Sequence, residues 1–248
     1  MQAQTELPVT GTARNIELEQ KLKRMTLLVG AMGSDGIILA ADKLTIDLST
    51  AEDSLEDTTE TIKIVDLPQR VAYAFAGDIL TLAVADELSQ RLKSDSAEAC
   101  ITKTALENLA NRTLDRREHY PLNTMDNGRT MLIVSYGTPD PRLWRLRIIP
   151  NRSQALAIDG MTIAGAVSNT ARFFHYYYQH AESVQRLKLL VAHTVLAASR
   201  IGGYIRGLDM CTFQNGQSSW ISQDEKAALT ARSDALDRII RGTLFPLA

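Results

Sequence analysis

The apolar positions along the chain change period several times, and each change marks an element. "TLLVGAM" (26–32) and "GIILAAD" (36–42) are short apolar runs joined by the turn signal "GSDG", so they predict a β-hairpin. "TIKIVDL" (61–67) and "RVAYAFAG" (70–77), split at Pro68 and Gln69, predict a second. In the latter, Val71, Tyr73 and Phe75 alternate with Ala72, Ala74 and Ala76. One sheet face is therefore bulky and the other nearly bare, which lets something pack closely against it. The period then lengthens. Leu80, Val84, Leu88 and Leu92 recur every four residues and predict a helix over 78–93, with a second over much of 96–118. Strand patterns return at "RTMLIVSYG" (129–137), "RLWRLRIIP" (142–150) and "SQALAIDG" (153–160). Helices are predicted near 168–180 and over 183–200, where Val184, Leu187, Leu190, Val191 and Val195 share a face. "RGLDMCTF" (206–213) and "SSWIS" (218–222) read as a last strand pair, before a helix over 223–240.

Helices arriving in pairs argue against a doubly wound βαβ sheet. Two antiparallel sheets stacked face to face, with a helix pair on each outer side, would bury every stripe. The expected class is α+β, a four-layer αββα sandwich occupying residues 26–248. Residues 1–25 stand apart as an arm, propeptide or upstream extension: 1–15 are polar, with Pro8 and Gly11, and 16–25 offer a short helix little to bury. The acidic stretch 47–60 carries six carboxylates and no base, and reads as a solvated loop beside the cleft.

Composition narrows the classes. With 45% apolar and 23% charged residues among 248, the chain is globular and can fill a sizeable core. A net charge of -2 gives no electrostatic attraction to nucleic acid or an anionic membrane. Two cysteines, Cys100 and Cys211, are too few for a disulfide framework. There is no apolar run of membrane-spanning length and no signal-peptide centre in residues 1–25, so a cytoplasmic protein is expected. His119, His175, His180 and His193 have no zinc-site spacing, and no metal or cofactor is expected. No G-x-S-x-G elbow occurs either.

The chemistry that remains centres on Thr26, which follows Met25 at the mouth of an apolar strand. Taken singly it is a β-branched strand opener, Asp42 a strand-end turn residue, Lys63 a surface lysine and Gly77 a helix boundary. Together, "TLLVGAMGSDGIILAADK", "KIVDL" and "AYAFAGD" resemble the β-type subunits of the 20S proteasome and their bacterial relatives among N-terminal-nucleophile hydrolases. The resemblance covers residues 26–92 and runs without a gap from Lys63 to Gly77. It implies that Thr26 becomes the N-terminus, its hydroxyl attacking an amide and its freed α-amine acting as base. It implies further that Asp42 and Lys63 complete the site and that the Gly77 N–H meets the oxyanion. Phe75 would floor the pocket for the residue before the cleaved bond, with Thr45 near its wall. A phenylalanine there makes the pocket shallow, suited to small or medium side chains.

The physical logic agrees. A threonine hydroxyl needs a base, and an α-amine, with a pKa near 7.7–8.0, is partly neutral where a lysine is not. A buried Lys63 beside Thr26 would favour the neutral amine, and Asp42 would compensate the lysine.

Two departures stand out. Relatives usually place glycine before the nucleophile, where this chain has Met25; a translation start at Met25, with the methionine trimmed, would expose Thr26 as well as self-cleavage would. The family's second-half serine has a candidate in Ser168 of "AGAVSN", while "SRIGGYIRG" has no aspartate to match the one that accompanies it. The expected activity is threonine-type peptide hydrolysis, on peptide or unfolded protein, by a homo-oligomeric ring, with an ATPase partner left open. The alternatives are an inert structural subunit of the same fold and a small-molecule amidase.

Overall fold

A computed structural model of the chain describes residues 26–46, 58–116, 129–138, 140–165, 175–201 and 205–244. Twelve strands among them form two five-stranded antiparallel sheets and a small ribbon. The first sheet has the order β10-β1-β2-β11-β12, from β1 (Leu27–Gly33), β2 (Gly36–Ala41), β10 (Met161–Gly165), β11 (Asp209–Gln214) and β12 (Gln217–Trp220). The second runs in sequence order through β5 (Ile64–Leu67), β6 (Val71–Ala76), β7 (Thr130–Ser135), β8 (Arg142–Arg147) and β9 (Gln154–Ile158). The ribbon pairs β3 (Leu44–Ile46) with β4 (Thr58–Glu60).

Both predicted hairpins form. Gly33 pairs with Gly36 across Ser34 and Asp35, and Leu67 pairs with Val71 across Pro68–Arg70. The alternation in β6 sorts its side chains between two cores. Val71 and Tyr73, with Phe75 beside them, pack against helices; Ala72, Ala74 and Ala76 face the other sheet. What the bare face accommodates is therefore the first sheet, through Leu28, Leu39 and Ala41.

Among the described residues there are five α-helices: α1 (Ile79–Ser94), α2 (Ala97–Cys100), α3 (Lys103–Asp115), α4 (Val184–Ile201) and α5 (Gln223–Leu244). On α1, Leu80, Val84, Leu88 and Leu92 are all buried, and α1–α3 cover the second sheet. Fully burying a leucine contributes about 1.5–3 kcal/mol, so this stripe alone holds the helix down. α4 and α5 cover the first sheet through Leu187, Val191, Val195 and Leu229. The architecture is the four-layer αββα sandwich, α+β in class.

Four details differ from the sequence expectation. The helix expected over 96–118 is two, because Ser96 caps α2 through the Ala99 N–H and Thr102 caps a fresh start at α3 through the Ala105 N–H. β10 escaped the strand pattern; five residues ending in glycine carry little signal, and its partner β1 lies over 130 residues upstream in sequence. Within the stretch read as a solvated loop, Thr58–Glu60 is a strand, and 47–57 lie outside the described residues. Of the helix expected near 168–180, residues 168–174 lie outside the described residues and 176–180 form turns and irregular chain. Those turns close the β1–β2 hairpin, where Ser34 N–H donates to Glu182 O and the Tyr178 hydroxyl donates to Met32 O. No helix among the described residues is long and apolar enough to cross a membrane.

Candidate active site

Antiparallel pairing brings strand ends that are far apart in sequence to one end of the sandwich. Leu27 at the start of β1 lies opposite Gly165 at the end of β10, and Leu28 lies opposite Ala41 at the end of β2. Asp209 at the start of β11 also lies opposite Ala41. From the second sheet, β5 begins here just after Lys63 and β6 ends just before Gly77.

Asp42 follows β2 and is completely buried. Its Oδ1 accepts the Leu27 N–H at 2.8 Å, while its own N–H donates to Leu27 O at 3.2 Å, so it clamps the peptide next to Thr26. Lys63, 2% exposed, donates from Nζ to both Asp42 oxygens at 3.0 Å and to Thr26 Oγ1 at 3.1 Å. Thr26 itself is half-buried. The apolar run that buries the start of β1 is thus what presses a lysine, a carboxylate and a hydroxyl together. Burial lowers the Lys63 pKa, and the Asp42 carboxylate opposes that shift by Coulomb attraction and hydrogen bonding, with Asp209 adding a weaker pull in the same direction.

Two glycines shape the rest. Gly77 has φ +136°, and a Cβ there would strike the Thr81 hydroxyl. Asp78 then opens α1 by accepting the Leu80 N–H, and Arg129 grips its carboxylate with contacts at 2.6–2.9 Å. Gly165, at φ +81°, lies on the Thr26 carbonyl, and Ala76, the neighbour of Gly77, packs 3.3 Å from where its Cβ would be. Only glycine fits between Thr26 and β6.

The structure therefore brings Thr26, Asp42 and Lys63 into direct contact and sets Ala76–Gly77 beside them. Phe75 is half-buried on the helix-facing side of β6, its ring 6.2 Å from Tyr73. Thr45 is the middle residue of β3, opposite Thr59. Ser168 lies outside the described residues. Sequence reasoning missed Gly165, whose signal is only a glycine closing an unrecognised strand. Asp209, two residues past "SRIGGYIRG" at the start of β11, carried no signal of its own either.

No protein-family model matches the sequence, and no curated protein matches it. Solved structures do match. The ancestral β-subunit Anbu from Yersinia bercovieri superposes with a TM-score of 0.67 at 13% identity, over 90% of this chain and 97% of that one. A Gly-1 mutant of Anbu from Hyphomicrobium sp. strain MC1 gives 0.64, also at 13% identity, over 87% and 96%. The fold is that of the proteasome-like N-terminal-nucleophile hydrolases. At such identity the likeness is one of fold, and it does not single out the 20S β subunits among proteasome-like chains.

Proposed function

We propose that the protein is a threonine-nucleophile amide hydrolase, a proteasome-like peptidase acting through Thr26 once the Met25–Thr26 bond is gone. One observation carries the reading: a buried lysine, held by both oxygens of a buried carboxylate, points its ammonium at the Thr26 hydroxyl. In the reaction, the freed α-amine takes the hydroxyl proton and Oγ1 attacks the substrate carbonyl. The Gly77 N–H donates to the oxyanion. The protonated amine then gives its proton to the leaving nitrogen, and water hydrolyses the threonyl ester. The Lys63 ammonium favours the neutral amine and the developing alkoxide by its positive potential. Thr45 and Phe75 line the pocket for the residue before the cleaved bond, and Ser168 supplies a further hydroxyl.

The working unit is a homo-oligomeric ring in the cytoplasm. Ile239, Ile240 and Tyr177 are exposed around the α4–α5 face, and a lone subunit would leave them in water. A monomer by light scattering at micromolar concentration would contradict the assembly.

The test is a fluorogenic peptide panel with a threonine-directed covalent inhibitor, read by intact mass. The active chain is expected to begin at Thr26, to form the adduct there, and to need none of residues 1–24. Fully active protein that still carries residues 1–25 would overturn the mechanism. A chain beginning at Thr26 that neither cleaves nor labels would be the inert structural subunit of this fold, and one that cleaves only small amides would be the amidase.

A further inference from the structure

We propose that Arg145 and Arg147 form a recognition site for a carboxylate on the leaving segment of the substrate, the part that follows the cleaved bond. This deepens the peptidase reading above and rests on it. Side chains along a strand alternate between faces. On β8, Leu143 belongs to the core between the sheets, whereas Trp144 and Leu146 pack against the helices, so Arg145 and Arg147 face the other sheet. Exposure grows along the rows they occupy. Leu132 on β7 is buried, Arg145 beside it is half-buried, and Leu156 beyond it on β9 is 62% exposed. One row nearer the candidate site, Ala76 and Thr130 are buried while Arg147 and Gln154 are exposed. The layer between the sheets therefore opens to water from β7 to β9, starting from Ala76, which lies against Gly165 and the Thr26 carbonyl.

The two arginines in that opening lack a counter-charge. Among the described residues neither is in an ion pair, and the buried Nε–H of Arg145 has no hydrogen-bond partner. Burial and the like charge of Arg147 both work against the Arg145 cation. The first sheet offers nothing charged in return: the residues of β1 and β10 that face this layer are Leu28, Gly30, Thr162 and Ala164. A guanidinium so placed suits a carboxylate, which it can hold by two parallel hydrogen bonds. Position identifies the carboxylate. Across the second sheet, Lys63 leads β5, Gly77 follows β6 and Arg147 ends β8, in that order. Thr45 lies on the β5 side, since Lys43 O accepts the Thr61 N–H and Thr45 pairs with Thr59. A substrate with its carbonyl at the Gly77 N–H and its preceding residue at Thr45 leads its following residues towards β8. From β6 to β8 is two strand spacings, about 10 Å, the reach of about three extended residues.

The test uses quenched peptides with amidated C-termini that differ only in the third residue past the bond: Glu, Gln or Lys. Wild type is expected to cleave the Glu peptide with a kcat/KM about tenfold above the Gln peptide, the effect of one charge-assisted contact, and the Lys peptide more slowly than either. Arg147→Gln should level the three, and Arg147→Glu should turn the preference to Lys. Arg142→Gln, on the other face of β8, should keep the wild-type ratio. A fourth peptide, with Gln there as a free C-terminal acid, separates a terminal carboxylate from a side chain, and a preference for either supports the site. Equal rates for all four peptides in wild type overturn it, as does a Glu preference that survives in Arg147→Gln. Should wild type cleave nothing, the proposed function fails, and fluorescence anisotropy of the same peptides on the full chain decides the site. Tighter binding of the Glu peptide that Arg147→Gln removes supports it, and equal binding of Glu and Gln peptides overturns it.

Discussion

Two buried polar clusters sit at different places in this molecule and contain similar parts. One joins Thr26, Lys63 and Asp42 where both sheets end. The other lies between α4 and α5, where His193 Nδ1 is 2.6 Å from Ser233 Oγ and Nε2 is 3.6 Å from Asp237 Oδ1. By distance alone the helix-pair cluster is closer to a catalytic Ser–His–Asp set. Its surroundings argue otherwise. Ser233 is completely buried and also accepts a hydrogen bond from Arg200 at 3.0 Å, and Arg200 pairs with Asp234 and Asp237. Every group in it faces a partner on the neighbouring helix, so it works as a clamp. In the strand-end cluster Thr26 is half-buried at a strand mouth while Asp42 and Lys63 behind it are sealed. The proposed reactivity of Thr26 rests on that asymmetry between an accessible residue and a closed support.

The largest effect that separates the two clusters is on turnover. Thr26→Ala should abolish peptide hydrolysis with the fold intact, whereas Ser233→Ala should leave the rate near wild type. Equal rates in the Thr26 variant and the wild type would end the catalytic reading, and loss of turnover in the Ser233 variant with an unchanged melting curve would move the chemistry to the helix pair.

Next come the supports of the hydroxyl. Lys63→Ala and Asp42→Asn should each nearly abolish turnover. Lys63→Ala also leaves Asp42 a buried charge without its cation, and should cost about 3–5 kcal/mol in urea denaturation. For Ser233→Ala the expected cost is smaller, about 1–3 kcal/mol, since it strands polar partners rather than a charge.

The third difference is in pH. Burial holds the His193 pKa below its usual value, assisted by Arg200 and opposed by Asp237. The unfolded chain then takes up a proton before the folded one does. Stability contributed by neutral His193 is full above the unfolded pKa of about 6.5 and is lost as pH falls through it towards the lower folded value. Urea midpoints between pH 7 and 5 should fall more steeply in wild type than in His193→Gln. Parallel slopes would remove His193 from the account.

The smallest effect concerns selectivity. Phe75→Ala should admit bulkier residues before the cleaved bond, read as a relative gain in kcat/KM for large side chains. A wild-type preference for bulky aromatics would mean that Phe75 does not floor the pocket.

Much of the candidate site was legible because its residues fall in the hairpin-rich first third of the described chain. Thr26 and Asp42 are the two ends of one hairpin, and Lys63 and Gly77 bracket the next. Local pairing fixes their register, and the distance between Thr26 and Asp42 follows from the number of residues around a two-residue turn. Gly165 and Asp209 carried no comparable signal. Each lies far along the chain and reaches the site only because β10 and β11 flank β1 and β2.

The sequence by itself determined the periods of most elements and the alternation in β6 that sends alanines to one core and aromatics to another. All of these are local, since side-chain direction repeats every two residues in a strand and about every 3.6 in a helix. Only the tertiary structure decided that the bare face of β6 meets the first sheet, that Lys63 leaves the surface to lie between Asp42 and Thr26, and that the Ser233–His193 pair is closed. Those outcomes depend on which layers meet and on what they exclude from water, and burial is a property of the packed whole that no short stretch of chain contains.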